Sequence, residues 1–146
     1  MVAIGILLWL GGAVGQAGDW YVQDGLAIGG YDPVSYFTER RPVIGSSSYT
    51  VEYQGVRFQF SSAAHREAFL SDPDRYVPQY GGYCAYGMAK GYKASTKPEA
   101  FTVHGGKLYL NYNLAVREQW LEDIPGHVSR ADAQWPRVRS SLRVIP

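Results

Sequence analysis

Cysteine is almost missing from these 146 residues: there is one, Cys84, and only two methionines accompany it. A single thiol closes no internal disulfide, so a stapled scaffold is excluded and the fold must rest on its core. Net charge is equally slight. At +1, with 14 basic against 13 acidic side chains, the chain has no field to steer it to nucleic acid, and no nucleic-acid partner is expected. The one imbalance is a basic end, where Arg130, Arg137, Arg139 and Arg143 face only Asp132; it reads as a solvated tail. Also missing is an unbroken run of about 20 apolar residues, the length a membrane-crossing helix needs. Charge is absent altogether from "MVAIGILLWLGGAVGQA", residues 1–17. The apolar run from Val2 to Leu10, with small residues at Gly15 and Ala17, predicts a signal peptide cleaved after Ala17, although only the amino terminus supplies positive charge ahead of the run. That implies no stable membrane insertion after cleavage, a mature chain starting at Gly18, and a periplasmic or secreted location.

What the chain does have is aromatic side chains, 12 Tyr and 4 Trp, in a composition 46% apolar and 18% charged. Such a chain is not disordered, and its length fits one domain, 18–146, with a core over about 26–135 and a short basic tail. No repeat or long linker divides it. In "GGYDPVSYF", Asp32 stands at an N-cap with Pro33 first in a short helical turn to Phe37. "YTVEYQGVRFQFSS" alternates apolar and polar residues on both sides of Gln54-Gly55, which predicts a β-hairpin over Tyr49–Phe60. Ser61 or Ser62 then caps a helix through "AAHREAFLSD", its stripe formed by Ala64, Ala68, Phe69 and Leu70, ending at Pro73. A second hairpin is expected over Phe101–Tyr112 around "HGGK". Asn113 caps the next helix, with Leu114, Arg117, Trp120 and Leu121 facing the core. A last helix, from about Pro125 to Gln134, stops at Trp135-Pro136. The fold class is therefore α+β: a small single domain of two antiparallel β-hairpins, each followed by a helix, plus a C-terminal helix.

Three stretches, "GGYDPVSYF" at 29–37, "FSSAAHREAFLSDPDRYVPQYGGYCAYGMAKGY" at 60–92 and "GKLYLNYN" at 106–113, resemble the YHS-domain family, in particular its small secreted bacterial members. The likeness runs from about Leu26 to Trp135 and constrains the fold better than the function. It implies a binding module and not an enzyme. Many YHS domains accompany heavy-metal proteins such as copper-transporting ATPases and carry cysteines suited to soft metals. In this chain the positions matching those cysteines hold Ser35, after Asp32-Pro33-Val34, then Ser61 and His65. A hydroxyl is a poor ligand for Cu(I) or Zn(II), so the metal function does not transfer unaltered.

The remaining chemistry centres on "YGGYCAYGM" at 80–88. If Cys84 and Met88 share one side of a helical turn, their thiolate and thioether, with the His65 imidazole, make a donor set that suits copper. Cys84 as packed, inert core and Cys84 as a reactive thiol stay open beside that reading. A thiol hydrolase needs an orienting imidazole and an oxyanion donor, for which His104 or His127 and Gln79 are the candidates. Tyr80, Tyr83, Tyr86 and Tyr112 are candidates to line an apolar pocket with polar tips. The partner expected is thus a metal ion, with copper as the possible cofactor, or a small molecule.

Overall fold

The structure, a computed structural model, describes residues 18–146; the expected signal peptide lies outside the described residues. The chain opens with a short ladder, β1 (Val22–Gln23) against β2 (Leu26–Ala27), and a 3-10 turn at Ile28–Gly30. After α1 (Ser35–Thr38) come β3 (Ser46–Tyr53) and β4 (Val56–Phe60), then α2 (Ala63–Ser71) and α3 (Pro73–Tyr76). A second 3-10 turn at Gln79–Gly82 leads into α4 (Ala85–Ala89) and β5 (Lys93–Ala94). The second hairpin, β6 (Phe101–His104) and β7 (Lys107–Leu110), is followed by α5 (Leu114–Leu121), α6 (Ile124–Val138) and β8 (Val144–Ile145).

Both expected hairpins form, each closed by two residues of positive φ, Gln54-Gly55 and Gly105-Gly106. That is the turn whose twist matches the flanking strands, and it sets the register Val51↔Phe58 in one hairpin and Val103↔Leu108 in the other. The strands do not join into one sheet. They remain separate two-stranded ladders, one of them a parallel pair, β5 with β8, that strand alternation does not announce.

Stability comes from aromatic packing between these pieces. Phe58, Phe60 and Phe69 are fully buried, with Phe69 centroids 5.2 Å from Phe58 and 5.0 Å from Phe60. On the other side, Tyr80, Tyr83, Met88, Tyr109 and Trp120 form a second cluster with Ala131 and Val138 of α6. Three expected core-facing positions are corrected: Ala64 is exposed, and Leu70 and Leu114 are 47% and 53% exposed. Leu70 is one step, about 100°, from buried Phe69, while Ala64 and Leu114 lie five and six residues before buried Phe69 and Trp120, which sets each more than about 100° around its helix from that residue.

The end of the last helix is also corrected. α6 runs through Pro136 to Val138, and Arg139 N–H still donates to Trp135 O at 2.8 Å. Proline costs a helix one hydrogen bond, but here the following turn carries buried Val138 into the second cluster, and tertiary packing wins. Pro125 falls in the first turn, where its missing N–H is harmless, behind Asp123, which accepts from Gly126 N at 3.1 Å. At its far end the helix is tied by Lys93, whose ammonium donates to Gly18 O (2.6 Å), Arg139 O (2.7 Å) and Ser141 O (2.6 Å). Burial lowers the Lys93 pKa from its ordinary value, and neighbouring Asp19 opposes that.

Truncation discriminates the two neighbours on α2. Phe69→Ala should destabilise by about 3 to 5 kcal/mol, whereas Leu70→Ala should stay within about 0.5 kcal/mol; urea unfolding of both variants is the measurement, and equal losses would contradict the packing described.

Candidate functional site

The site begins with a carboxylate. Asp32 is fully buried, and one oxygen, Oδ1, accepts from Val34 N at 2.8 Å and Ser35 N at 3.2 Å, holding the start of α1. The other, Oδ2, accepts from Ser61 N (2.8 Å), Ser61 Oγ (2.7 Å) and His65 Nδ1 (2.7 Å). Ser62 caps α2 by accepting from His65 N at 3.1 Å, which places the His65 ring back over the helix entry and against Asp32. Burial pushes the Asp32 pKa up, but the hydrogen bonds from Ser61 and His65 outweigh it and hold the carboxyl below the usual range.

A carboxylate only accepts, so Nδ1 of His65 carries the proton on that side. Its other nitrogen, Nε2, faces Thr38 Oγ1 at 3.5 Å and Glu39 Oε2 at 3.8 Å. Ser35 Oγ lies 3.3 Å and Ser61 Oγ 3.4 Å from Nδ1, and Ser35 Oγ also donates to Glu39 Oε2 at 3.4 Å. His65 retains 18% side-chain exposure and Glu39 36%, so the Nε2 side is open to solvent. The arrangement is an imidazole of fixed tautomer and orientation, with a hydroxyl and a half-exposed carboxylate beside its free nitrogen. It can coordinate a cation or take up a proton. Ser35, Ser61 and His65, the three positions that the YHS resemblance sets against metal-ligating cysteines, converge here from segments 30 residues apart.

The structure does not bring His65 together with Cys84 and Met88. None of the hydrogen-bond partners of His65 is shared with Cys84. Met88, fully buried, packs in the cluster of Tyr80, Tyr83 and Trp120, and only its main-chain N–H reaches Cys84, at the carbonyl oxygen. Cys84 is the N-cap of α4: its Sγ accepts from Gly87 N at 3.4 Å and donates to Asn111 Oδ1 at 3.5 Å. Burial raises the thiol's pKa, against the opposing main-chain hydrogen bonds of Gly87, Tyr112 and Tyr86. No imidazole is among its partners: His104 is exposed in its turn, and His127 lies with its ring 5.1 Å from Tyr86 and Nδ1 3.2 Å from Arg130. The hydrolase arrangement with Gln79 is therefore not formed. Among the described residues no three His, Cys, Asp or Glu side chains are grouped to hold a metal ion.

The tyrosines divide. Tyr86 and Tyr112 line a small cavity of about 170 Å³ together with Cys84. Tyr80 lines a larger one of about 410 Å³, and its hydroxyl donates to Asp132 Oδ1 at 2.8 Å. Tyr83 is spent internally, its hydroxyl on Gly18 O at 2.8 Å and Trp20 O at 3.0 Å. Asp32 and Glu39 were not expected as site residues. Asp32 reads in the sequence as a helix cap and nothing more, and Glu39 gains meaning only when α1 is set beside α2.

Asp32, with its pKa lowered in the folded state, stabilises the protein at pH values above the ordinary carboxylate range, and this contribution is lost as pH falls through the lowered value. Asp32→Ala should cost about 3 to 5 kcal/mol at neutral pH, and Asp32→Asn should flatten the acid limb of the stability profile; an unchanged limb would remove the hub role. Cys84 in native protein should react with a thiol reagent roughly a hundredfold more slowly than in urea-unfolded protein, and equal rates would show an accessible thiol.

Comparisons of the chain with protein-family models, with curated proteins and with solved structures gave no match.

Proposed function

We propose that the chain is an exported YHS-type binding domain that takes a first-row divalent cation, Cu(II) before Zn(II), at His65 Nε2 and the Glu39 carboxylate. The observation that carries this reading is the convergence of Ser35, Ser61 and His65 on one buried carboxylate. Where related domains present thiolates, this chain presents an imidazole whose far nitrogen is held by Asp32, the arrangement that orients metal-ligating histidines in general. Exchange of sulfur for nitrogen and oxygen donors changes the preferred ion. Thiolates favour Cu(I), whereas imidazole and carboxylate favour Cu(II), the ion that heads the divalent affinity order. Such an ion is also the stable form of copper in an oxidising compartment, and the export reading rests on the sequence of residues 1–17 alone.

Two protein ligands leave the other coordination positions to solvent or to a partner. That suits a protein that hands an ion on better than one that stores it or uses it in catalysis, for which a fixed, fuller ligand set is usual. Cys84 and Met88 are structural on this reading, since the thiol is a buried helix cap and the thioether is core.

Competitive titration of wild type with Cu(II), Zn(II) and Mg(II) tests it, alongside His65→Ala, Glu39→Gln and Cys84→Ser. Cu(II) should bind tightest and Mg(II) not at all; His65→Ala should weaken Cu(II) by about tenfold to a hundredfold, Glu39→Gln by less, and Cys84→Ser not measurably. Binding should weaken in acid, because the imidazole must be neutral to coordinate. Loss of binding in Cys84→Ser alone would reinstate the thiolate site, and equal affinity in wild type and His65→Ala would overturn the proposal.

A further inference from the structure

The 410 Å³ cavity lies apart from His65, between the hairpin β3–β4 and helix α6, and falls within the size range of small-molecule sites, about 300 to 1,000 Å³. Its two walls are built alike. On one, Trp20 and Tyr53 meet edge to face at 6.0 Å; on the other, Tyr80 and Trp135 do so at 6.2 Å. Each tyrosine is tied to a carboxylate at the rim: Tyr53 OH donates to Asp74 Oδ1 at 3.1 Å, and Tyr80 OH to Asp132 Oδ1 at 2.8 Å. The backbone presents Tyr80 by an unusual route. Its φ is +58°, and Gly81 follows at +63° packed so closely on Asp19 O that no side chain would fit there.

The charges do not balance. Asp74 and Asp132 each use one oxygen on a tyrosine, and among the described residues no basic side chain pairs with either. Among the described residues Arg139 is the one cation lining the cavity; it is engaged by Asp19 at 3.1 Å and its guanidinium lies 6.0 Å from the Trp135 ring centroid, so the Trp20–Tyr53 wall is the one that none of the described cations covers. Two exposed carboxylates without a cationic partner therefore stand at the hydroxyl edges of the wall tyrosines, at the rim of a cavity large enough for a small molecule.

We propose that this cavity binds an organic ammonium ion. Indole and phenol faces attract a weakly hydrated cation through the ring quadrupole, and quaternary ammonium groups gain most because they give up little hydration. The free carboxylate oxygens supply the longer-range attraction. A strongly hydrated inorganic cation draws nothing from the aromatic walls, and a neutral sugar, which stacks on such rings and can donate hydroxyls to the carboxylates, gains no attraction of opposite charge.

Choline serves as probe, with its neutral isostere 3,3-dimethylbutan-1-ol and with glucose as comparators at constant ionic strength, and the Trp20 and Trp135 indole N–H resonances as readout. Choline should shift both saturably. The isostere should bind about tenfold more weakly or not at all. Asp132→Asn, which keeps an acceptor for Tyr80, and Trp135→Leu should each weaken choline binding several-fold while Cu(II) binding at His65 is unchanged. Equal binding of choline and its isostere, saturable binding of glucose alone, or no saturable shift with any of the three would overturn the assignment, whatever the fate of the metal site.

Discussion

A single buried carboxylate organises the half of the molecule that contains the candidate metal site. Burying Asp32 costs several kcal/mol of lost hydration unless every lone pair is used, and here five donors use them: the Val34 and Ser35 amides at the start of α1, the amide and hydroxyl of Ser61, and His65 Nδ1. Those donors come from the start of α1, the end of the first hairpin and the first turn of α2, so the charge can be satisfied only when the three segments meet. The condition that makes the buried charge tolerable is thus the same one that assembles the site. It also explains why His65 is oriented: the imidazole is one of the partners that Asp32 requires, and its free nitrogen is turned outward as a consequence.

The other half is closed by a buried cation. Lys93 offers three N–H donors, and three main-chain carbonyls, of Gly18, Arg139 and Ser141, receive them, with the Tyr83 ring 4.8 Å from the ammonium. Carbonyls at the end of α6 carry the negative end of the helix dipole, so the contact is favourable in field as well as in hydrogen bonding. This clamp sets the end of α6 against β5 and fixes Trp135, hence one wall of the aromatic cavity. The two halves use related devices of opposite sign: a buried cation held by main-chain carbonyls, and a buried carboxylate held by main-chain amides together with the Ser61 hydroxyl and His65.

Local features of the fold were legible in the sequence because local chemistry decides them. Ser62 and Asn113 cap helices where their side chains predict it, and Gln54-Gly55 and Gly105-Gly106 turn both hairpins. What the sequence did not disclose depends on partners distant in the chain. Pro136 reads as a stop, yet Val138 two residues later fills the core and carries the helix through. The β5–β8 pair joins residues about 50 apart, and each strand is only two residues long, too short for any alternation to register. The site was half legible for the same reason. His65 was a candidate from its position alone, but Asp32 looked like an ordinary cap, since a cap and a buried hub share one sequence signature. The grouping of His65 with Cys84 and Met88 rested on donor softness, which says nothing about where the chain places each donor.

Cys84 shows how a chemically conspicuous residue comes to serve the backbone. At the start of α4 the chain needs an acceptor for the Gly87 amide in a place with almost no exposure, next to the buried Asn111 side-chain carbonyl, which accepts from Tyr86 N at 3.1 Å and can take a second donor. Serine would meet both needs with stronger bonds, but a hydroxyl is small and costly to bury, whereas a thiol is larger, weakly polar and fills an apolar space while still donating and accepting. Burial then raises its pKa, which favours the neutral thiol over the thiolate that acts as nucleophile and metal ligand. The same burial that makes cysteine the fitting residue at this position works against the thiolate form for which a cysteine would otherwise be singled out.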